Sequence, residues 1–143
     1  FLDKKQLATK HFNKVFDAGG QNYKAKAAFW LGLLFVDNNE KEAIEWFKKS
    51  AEQNNAFGLY NLSLNYLYGE GVKKNTYMAK NLMTKASLKG DIESKRILAN
   101  MYFKGIGCQM DILKSIQLWN EASKQGDIKS KKNLKMIKNI DLL

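Results

Sequence analysis

The sequence predicts an all-α fold in which antiparallel helix hairpins stack on one another within a single domain, residues 1–143. Two observations predict it. The chain matches itself when it is shifted by about 36 residues, and each repeat contains two runs of apolar residues spaced three or four apart. Proline is absent, so helices can run uninterrupted. A repeat of this length is one supersecondary unit that buries its apolar face by stacking on its neighbours.

Glycines mark the same points in successive repeats. The segment Gly69–Gly71 aligns with Gly105–Gly107, and Gly90–Asp91 aligns with Gly126–Asp127. Because glycine adopts backbone angles that other residues avoid, the glycine pair predicts a turn between the two helices of a repeat. The later glycine predicts the end of the second helix, and the aspartate after it can cap the next helix.

Small side chains recur at two sites in the second helix of each repeat. The residues at these sites are Ala43, Ala79 and Ser115, then Ser50, Ala86 and Ala122. Small residues let two helix backbones approach closely, and larger neighbours such as Phe47, Met83 and Trp119 fill the remaining space. We therefore expect Ala86 and Ala122 to lie where two helices touch, and the large residues to belong to the core.

Residues 62–90 resemble the Sel-1-like repeat family, a relative of the tetratricopeptide repeats with a slightly longer unit and a Gly-x-Gly turn. The residues that carry the resemblance are Leu62, Tyr66, Gly69, Gly71, Val72, Ala79 and Ala86. Residues 98–126 are similar to a second copy. Residues 31–54 are similar to a third, but its connection Val36–Asn39 is shorter and lacks the glycine pair, so this hairpin should turn more tightly.

The resemblance implies a right-handed α/α solenoid with about seven to eight helices. The expected units are an N-terminal partial unit in residues 1–30, repeats at 31–54, 58–90 and 94–126, and a C-terminal capping helix in residues 127–143. Degraded units at both ends are typical of repeat arrays, because a terminal unit has to cover its neighbour's apolar face.

The sequence offers no combination of residues typical of catalysis or metal binding. It contains one histidine, His11, and one cysteine, Cys108, whereas the usual metal sites need several such ligands. His11 aligns with Trp46, which predicts a partly buried structural histidine. Cys108 aligns with Val72 and is expected to be a small packing residue. We therefore predict no enzymatic activity, no metal and no cofactor.

Lysine and arginine number 24 against 14 acidic residues, which gives a net charge of +10. An excess of basic residues is typical of proteins that bind a nucleic acid, an anionic membrane or an acidic protein. In the alternative interpretation, the basic residues only keep the helix faces solvated. Helical repeats that read RNA place a defined set of base-reading residues in every repeat. The equivalent positions here differ in type, being Phe29, Tyr60, Arg96 and Lys132. A protein partner, favoured to be acidic, is therefore preferred over a nucleic acid.

No apolar run approaches the length of a membrane span. The single cysteine excludes an intrachain disulfide but does not indicate a cellular compartment. Two locations therefore stay as alternatives, a bacterial protein in the cytoplasm and a bacterial protein exported with its signal removed. The sequence does not indicate the oligomeric state either.

The resemblance implies that the first helices of the repeats line a concave, partner-binding face. By position, the residues expected there are Phe29, Leu33, Phe57, Tyr60, Leu64, Tyr68, Arg96, Asn100, Lys104, Lys129 and Lys132. This set changes from apolar and aromatic to polar and basic along the chain. In the alternative interpretation, its aromatic members pack between repeats and its lysines only maintain solubility.

Two functions are consistent with these features. The resemblance implies a protein–protein interaction scaffold or adaptor, because proteins of this family occur widely in bacteria in signalling, envelope and host-interaction complexes. The alternative is an immunity-type protein that neutralises a bacterial toxin by binding and occluding it. Neither function requires chemistry of the chain's own.

Overall fold

The computed structural model describes residues 2–139, and within them the chain forms eight α-helices and no strand. The helices are α1 (Leu2–Ala18), α2 (Gln21–Phe35), α3 (Glu40–Glu52), α4 (Ala56–Tyr68), α5 (Thr76–Leu88), α6 (Ile92–Lys104), α7 (Ile112–Lys124) and α8 (Ile128–Lys138). Each helix packs against the next one along the chain. The prediction of an all-α solenoid is confirmed.

Three complete hairpins lie between two single helices. The hairpins are α2–α3, α4–α5 and α6–α7. The sequence-based boundary between residues 30 and 31 falls inside α2, which begins at Gln21. Gly20, which precedes α2, has no side chain that could cap the helix, unlike the Asn and Asp residues that begin the later helices. The first connection, residues 36–39, is shorter than those at 69–75 and 105–111, as expected.

Six of the helices begin with a polar cap residue, and the caps of equivalent helices are one repeat length apart. At each, a side-chain oxygen accepts a hydrogen bond from a backbone N–H of the first turn. The cap residues are Asn39, Asn55, Asn75, Asp91, Asp111 and Asp127. A cap of this kind contributes about 0.5–2 kcal/mol. Asp91 and Asp127 thus have the role that the sequence predicted.

The second glycine of each glycine pair brings two repeats together. Gly71 and Gly107 have φ values of 66° and 70°, in the left-handed region. A Cβ atom on Gly107 would collide with the backbone carbonyl of Thr76, which begins the second helix of the preceding repeat. A Cβ atom on Gly71 would meet the side chain of Ile44 in the preceding repeat. The pair therefore makes a turn and also allows close contact between repeats.

The core runs through the stack, and the small residues predicted at helix contacts are all buried within it. Ala79, Ala86, Ser115 and Ala122 have no exposed surface, and Ala43 is 2% exposed. The large residues expected to fill the equivalent space in each repeat, Phe47, Met83 and Trp119, are buried as well.

Ala86→Leu and Ala122→Leu should each destabilise the protein by about 1–3 kcal/mol, because the added carbons overpack a site with no free surface. Urea denaturation followed by circular dichroism measures the change. Lys85→Leu, at the exposed neighbouring position on α5, is the control and should change the free energy of unfolding little. Equal stability of all three variants would contradict the close packing of these sites.

The partly buried position predicted for His11 is wrong, because His11 is exposed. Instead, α1 packs through Phe12 and Phe16. Phe12 stacks on Trp30 with ring centroids 6.3 Å apart, and Phe16 meets Trp46 edge-on at 5.3 Å. The side of α1 that carries these two rings, and not the side with His11, therefore faces α2 and α3.

Candidate protein-binding face

The first helices of successive repeats lie side by side and form one continuous surface, here called the first-helix face, made by α2, α4, α6 and α8. Phe29 on α2 stacks on Phe57 of α4 with ring centroids 5.3 Å apart. Further along, the Asn133 side chain of α8 donates a hydrogen bond of 3.2 Å to Asn100 Oδ1 of α6. Residues distant in sequence thus become neighbours on one face.

A groove of about 380 Å³ lies between α4 and α6 on this face. It brings together six of the residues that the sequence predicted for the partner-binding face: Tyr60, Leu64, Tyr68, Arg96, Asn100 and Lys104. The structure thus places apolar and aromatic residues of one repeat opposite polar and basic residues of the next.

On the α6 side of the groove, three apolar residues were missed in the sequence, namely Ile97, Met101 and Ile106. Ile97 and Met101 lie next to polar groove residues on α6, so positional equivalence to the preceding repeat did not select them. Ile106 did carry a signal. It is an apolar residue between the two glycines of a turn, where the preceding turn has Glu70.

Tyr60 lies at the centre of the face and is half-buried, packing against the core clusters of two successive repeats. Burial raises the pKa of its hydroxyl above the ordinary value, and the nearby Glu93 carboxylate raises it further, while Arg96 opposes the shift. The hydroxyl is therefore neutral at physiological pH and can donate a hydrogen bond at the edge of an apolar surface.

Arg96 is already engaged within the protein. Its guanidinium contacts the Glu93 carboxylate at 2.7 Å and the Asp127 carboxylate at 3.6 Å, and its side chain is only 12% exposed. Asp127 is itself the cap of α8. Arg96 therefore connects two repeats, and its surroundings differ from those of the free interface anchor that the sequence suggested.

Asn100 is engaged in the same way. Its Oδ1 accepts hydrogen bonds from the indole Nε1 of Trp119, at 3.0 Å, and from Asn133. Trp119 is 1% exposed, so Asn100 satisfies a buried donor that would otherwise have no partner in the described structure. This side chain joins α6, α7 and α8.

The aromatic part of the face divides into packed and exposed side chains. Phe29 is half-buried, and its ring lies 6.4 Å from that of Phe47 in its own repeat. It also stacks on Phe57 of the next repeat, which agrees with the alternative interpretation of packing between repeats. In contrast, Leu33, Phe57 and Tyr68 are 38%, 54% and 64% exposed. These three side chains are free to contact a partner.

The basic part of the face contains Lys104, Lys129 and Lys132, which are all exposed. None of the three has a carboxylate within ion-pairing distance among the described residues, since the ion pairs there involve only Lys48, Lys95 and Arg96 as cations. Their charge is therefore available to a partner.

The described residues offer few reactive or metal-binding groups. Across residues 2–139, no three His, Cys, Asp or Glu side chains converge as a metal-ligand set. Cys108 is half-buried, with its thiol 3.6 Å from the Ile106 carbonyl oxygen, in keeping with a packing role. No helix in this part of the chain is long and apolar enough to cross a membrane.

Stacked helix hairpins with one continuous first-helix face define an α/α repeat protein of the tetratricopeptide-like class. Three consecutive segments, residues 24–55, 56–91 and 92–127, match the family model of the Sel1 repeat. The chain therefore belongs to the Sel1 repeat family, as the glycine turns and small helix-contact residues indicated.

Individual relatives agree with this assignment. A sel1-like repeat-containing protein of Acanthamoeba polyphaga mimivirus is 43% identical over 93 residues, which cover 64% of this chain. The match spans only 17% of that relative's length.

Solved structures are similar over nearly the whole chain. The Sel1 repeat protein from Oxalobacter formigenes superposes with a TM-score of 0.79 at 26% identity, covering 88% of this chain and 96% of its own. A protective antigen present in uropathogenic Escherichia coli strains gives 0.82 at 26% identity, covering 90% of this chain and 28% of its own.

Proposed function

We propose that this protein is an interaction module that binds a segment of another protein on its first-helix face. Sel1 repeat proteins generally mediate protein–protein interactions, and the family is typically non-enzymatic. The observation that carries the proposal is the groove between α4 and α6, where half-buried apolar side chains lie beside exposed Tyr68 and Lys104. Apolar contact area surrounded by polar groups is typical of protein interfaces.

The exposed side chains of the face support the same proposal. Tyrosine is one of the residues most enriched among interface hot spots, and Tyr60 and Tyr68 both line the groove. Leu33 and Phe57 extend the apolar surface toward α2, since Phe57 stacks on Phe29 of that helix. The toxin-neutralising alternative stays a hypothesis, because no residue of the face distinguishes it from a general binding role.

Tyr60→Ala and Tyr68→Ala should each weaken binding by about 30-fold, which corresponds to about 2 kcal/mol for a hot spot. The test uses peptides selected against the protein from a random peptide display library, with affinities measured by fluorescence anisotropy. Tyr68 is 64% exposed, so its loss should leave the fold intact even if Tyr60→Ala perturbs packing. The effect should persist at high salt because the contact is mainly apolar.

Tyr77→Ala is the matched control. Tyr77 is also 64% exposed but lies on α5, a second helix, away from the first-helix face. Binding should be unchanged in this variant. If Tyr77→Ala weakened binding more than Tyr68→Ala, the binding surface would lie on the second helices and the proposal would be wrong.

A further inference from the structure

We infer that the bound segment carries one large apolar or aromatic residue next to a short run of acidic residues. This inference rests on the proposed function and specifies the chemistry of the partner. Three features carry it: the composition of the groove between α4 and α6, the unpaired lysines beside it, and the continuous surface that joins the two.

The groove suits one anchoring apolar side chain. Five apolar, non-aromatic residues line it, with Leu64 and Leu67 on one side and Ile97, Met101 and Ile106 on the other. Its volume, about 380 Å³, is near the lower end of the range of about 300–1,000 Å³ that small-molecule pockets occupy. Residues that contribute most of the binding energy usually fill well-packed pockets near the centre of an interface.

The same composition disfavours a nucleic acid. Single strands bind by stacking successive bases on aromatic rings along a basic groove. Here the aromatic side chains Tyr60 and Tyr68 belong to one helix, and the opposite side of the groove presents none. The groove therefore fits a side chain that is buried by apolar contact.

Positive charge begins at the edge of the groove and increases toward α8. Lys104 lines the groove itself, and Lys129 and Lys132 lie on the neighbouring first helix. Glu93 and Asp127 are both paired with Arg96, and none of the ion pairs among residues 2–139 includes Lys104, Lys129 or Lys132. At physiological salt, exposed charges attract opposite charges over about 8 Å, so these three lysines favour acidic groups on a partner.

Helix α8 extends the basic surface to the end of the stack. Between Ile128 and Lys138 it contains five lysines and no acidic residue, and all five are exposed. Helix α8 therefore adds a strongly basic segment to the first-helix face.

The apolar groove and the basic surface are contiguous. The hydrogen bond from Asn133 to Asn100 holds α8 directly against α6, and Asn100 also lines the groove. An extended segment with its apolar residue in the groove would therefore pass Lys104 and then reach Lys129 and Lys132. Acidic residues on that side of the anchor would complement the charge of the face.

The experiment selects peptides from a random display library on the full chain and sequences the enriched clones. We expect a large apolar or aromatic residue with two or more Asp or Glu residues within the next few positions on one side. The affinity of a synthetic peptide from this set should fall about tenfold between 50 and 500 mM salt. Replacing its apolar residue by alanine should abolish binding at every salt concentration.

Charge variants separate this inference from the proposed function. The double variant Lys129→Ala with Lys132→Ala should weaken the peptide about tenfold at low salt and little at high salt. Lys85→Ala, an exposed lysine on α5, is the control and should change nothing. Failure to enrich any peptide would contradict the proposed function itself.

Other outcomes would overturn only the inference about charge. Enriched peptides that require Tyr68 but lack acidic residues, or that bind the double lysine variant as tightly as the parent, would show that the basic surface plays no part. Displacement of the peptide by an equimolar single-stranded oligonucleotide would show that the face prefers a nucleic acid.

Discussion

Gly107→Ala should destabilise the protein by about 2–5 kcal/mol, far more than Gly105→Ala two residues earlier. Both glycines have almost the same left-handed backbone, with φ values of 70° and 66°, so both substitutions carry the cost of about 1–2 kcal/mol for a side chain in that conformation. At Gly107 the new methyl group also collides with the Thr76 carbonyl, and such overpacking adds about 1–3 kcal/mol.

Gly105→Ala is a close control because it shares the backbone strain and lacks the collision. The nearest heavy atom to a Cβ atom at Gly105 is Met110 N, at 3.4 Å, an ordinary contact. Gly71→Ala should fall between the two, since its neighbour is the flexible end of the Ile44 side chain instead of a backbone group. Urea denaturation of the three variants measures the order. Equal losses at Gly105 and Gly107 would show that the second glycine serves the turn alone.

Asn100→Ala should cost about 2–3 kcal/mol of stability, although sequence reasoning placed Asn100 among the partner-binding residues. The substitution leaves the buried indole N–H of Trp119 without an acceptor, and such a group costs about 1–3 kcal/mol. It also removes the acceptor for Asn133 and with it a direct link between α6 and α8.

A double-mutant cycle with Trp119→Phe isolates this hydrogen bond. Phenylalanine lacks the donor, so Asn100→Ala should cost at least about 1 kcal/mol less in the Trp119→Phe background than in the parent. Additive effects would mean that the hydrogen bond contributes little. Weaker peptide binding by Asn100→Ala with unchanged stability would return this residue to the partner-binding set.

Residues at equivalent positions of successive repeats have different neighbours. For this reason only part of the candidate site could be predicted from the sequence. Tyr60 and Arg96 occupy the same place in successive repeats, and both line the groove between α4 and α6. Their equivalent positions in the repeat predict where the two residues lie, but not which side chains surround them. Arg96 lies beside two carboxylates, one on its own helix and one at the start of α8, and the second contact depends on how closely the repeats stack.

The packing of the N-terminal helix α1 was likewise not predictable from the alignment of repeats alone. Aligning His11 with Trp46 assumed that α1 packs as the other second helices do. In the structure His11 is exposed, while the half-buried rings of Phe12 and Phe16 pack against Trp30 and Trp46. Repeat equivalence holds where a residue has neighbours on both sides of the stack. At α1 it fails, because aromatic contacts of Phe12 and Phe16 with α2 and α3 orient this helix.

The sequence by itself determined the helices, their pairing into hairpins and the order of the repeats, because these depend on local signals. Apolar spacing, cap residues such as Asp91 and Asp127, and left-handed glycines act within a few residues of chain. Only the tertiary structure decided which polar groups of the first-helix face are free. Contacts across repeats pair Arg96 and Asn100 with side chains up to 33 residues away, while Lys129 and Lys132 remain unpaired within the described chain. Such pairing depends on distances between stacked helices, which no local pattern encodes.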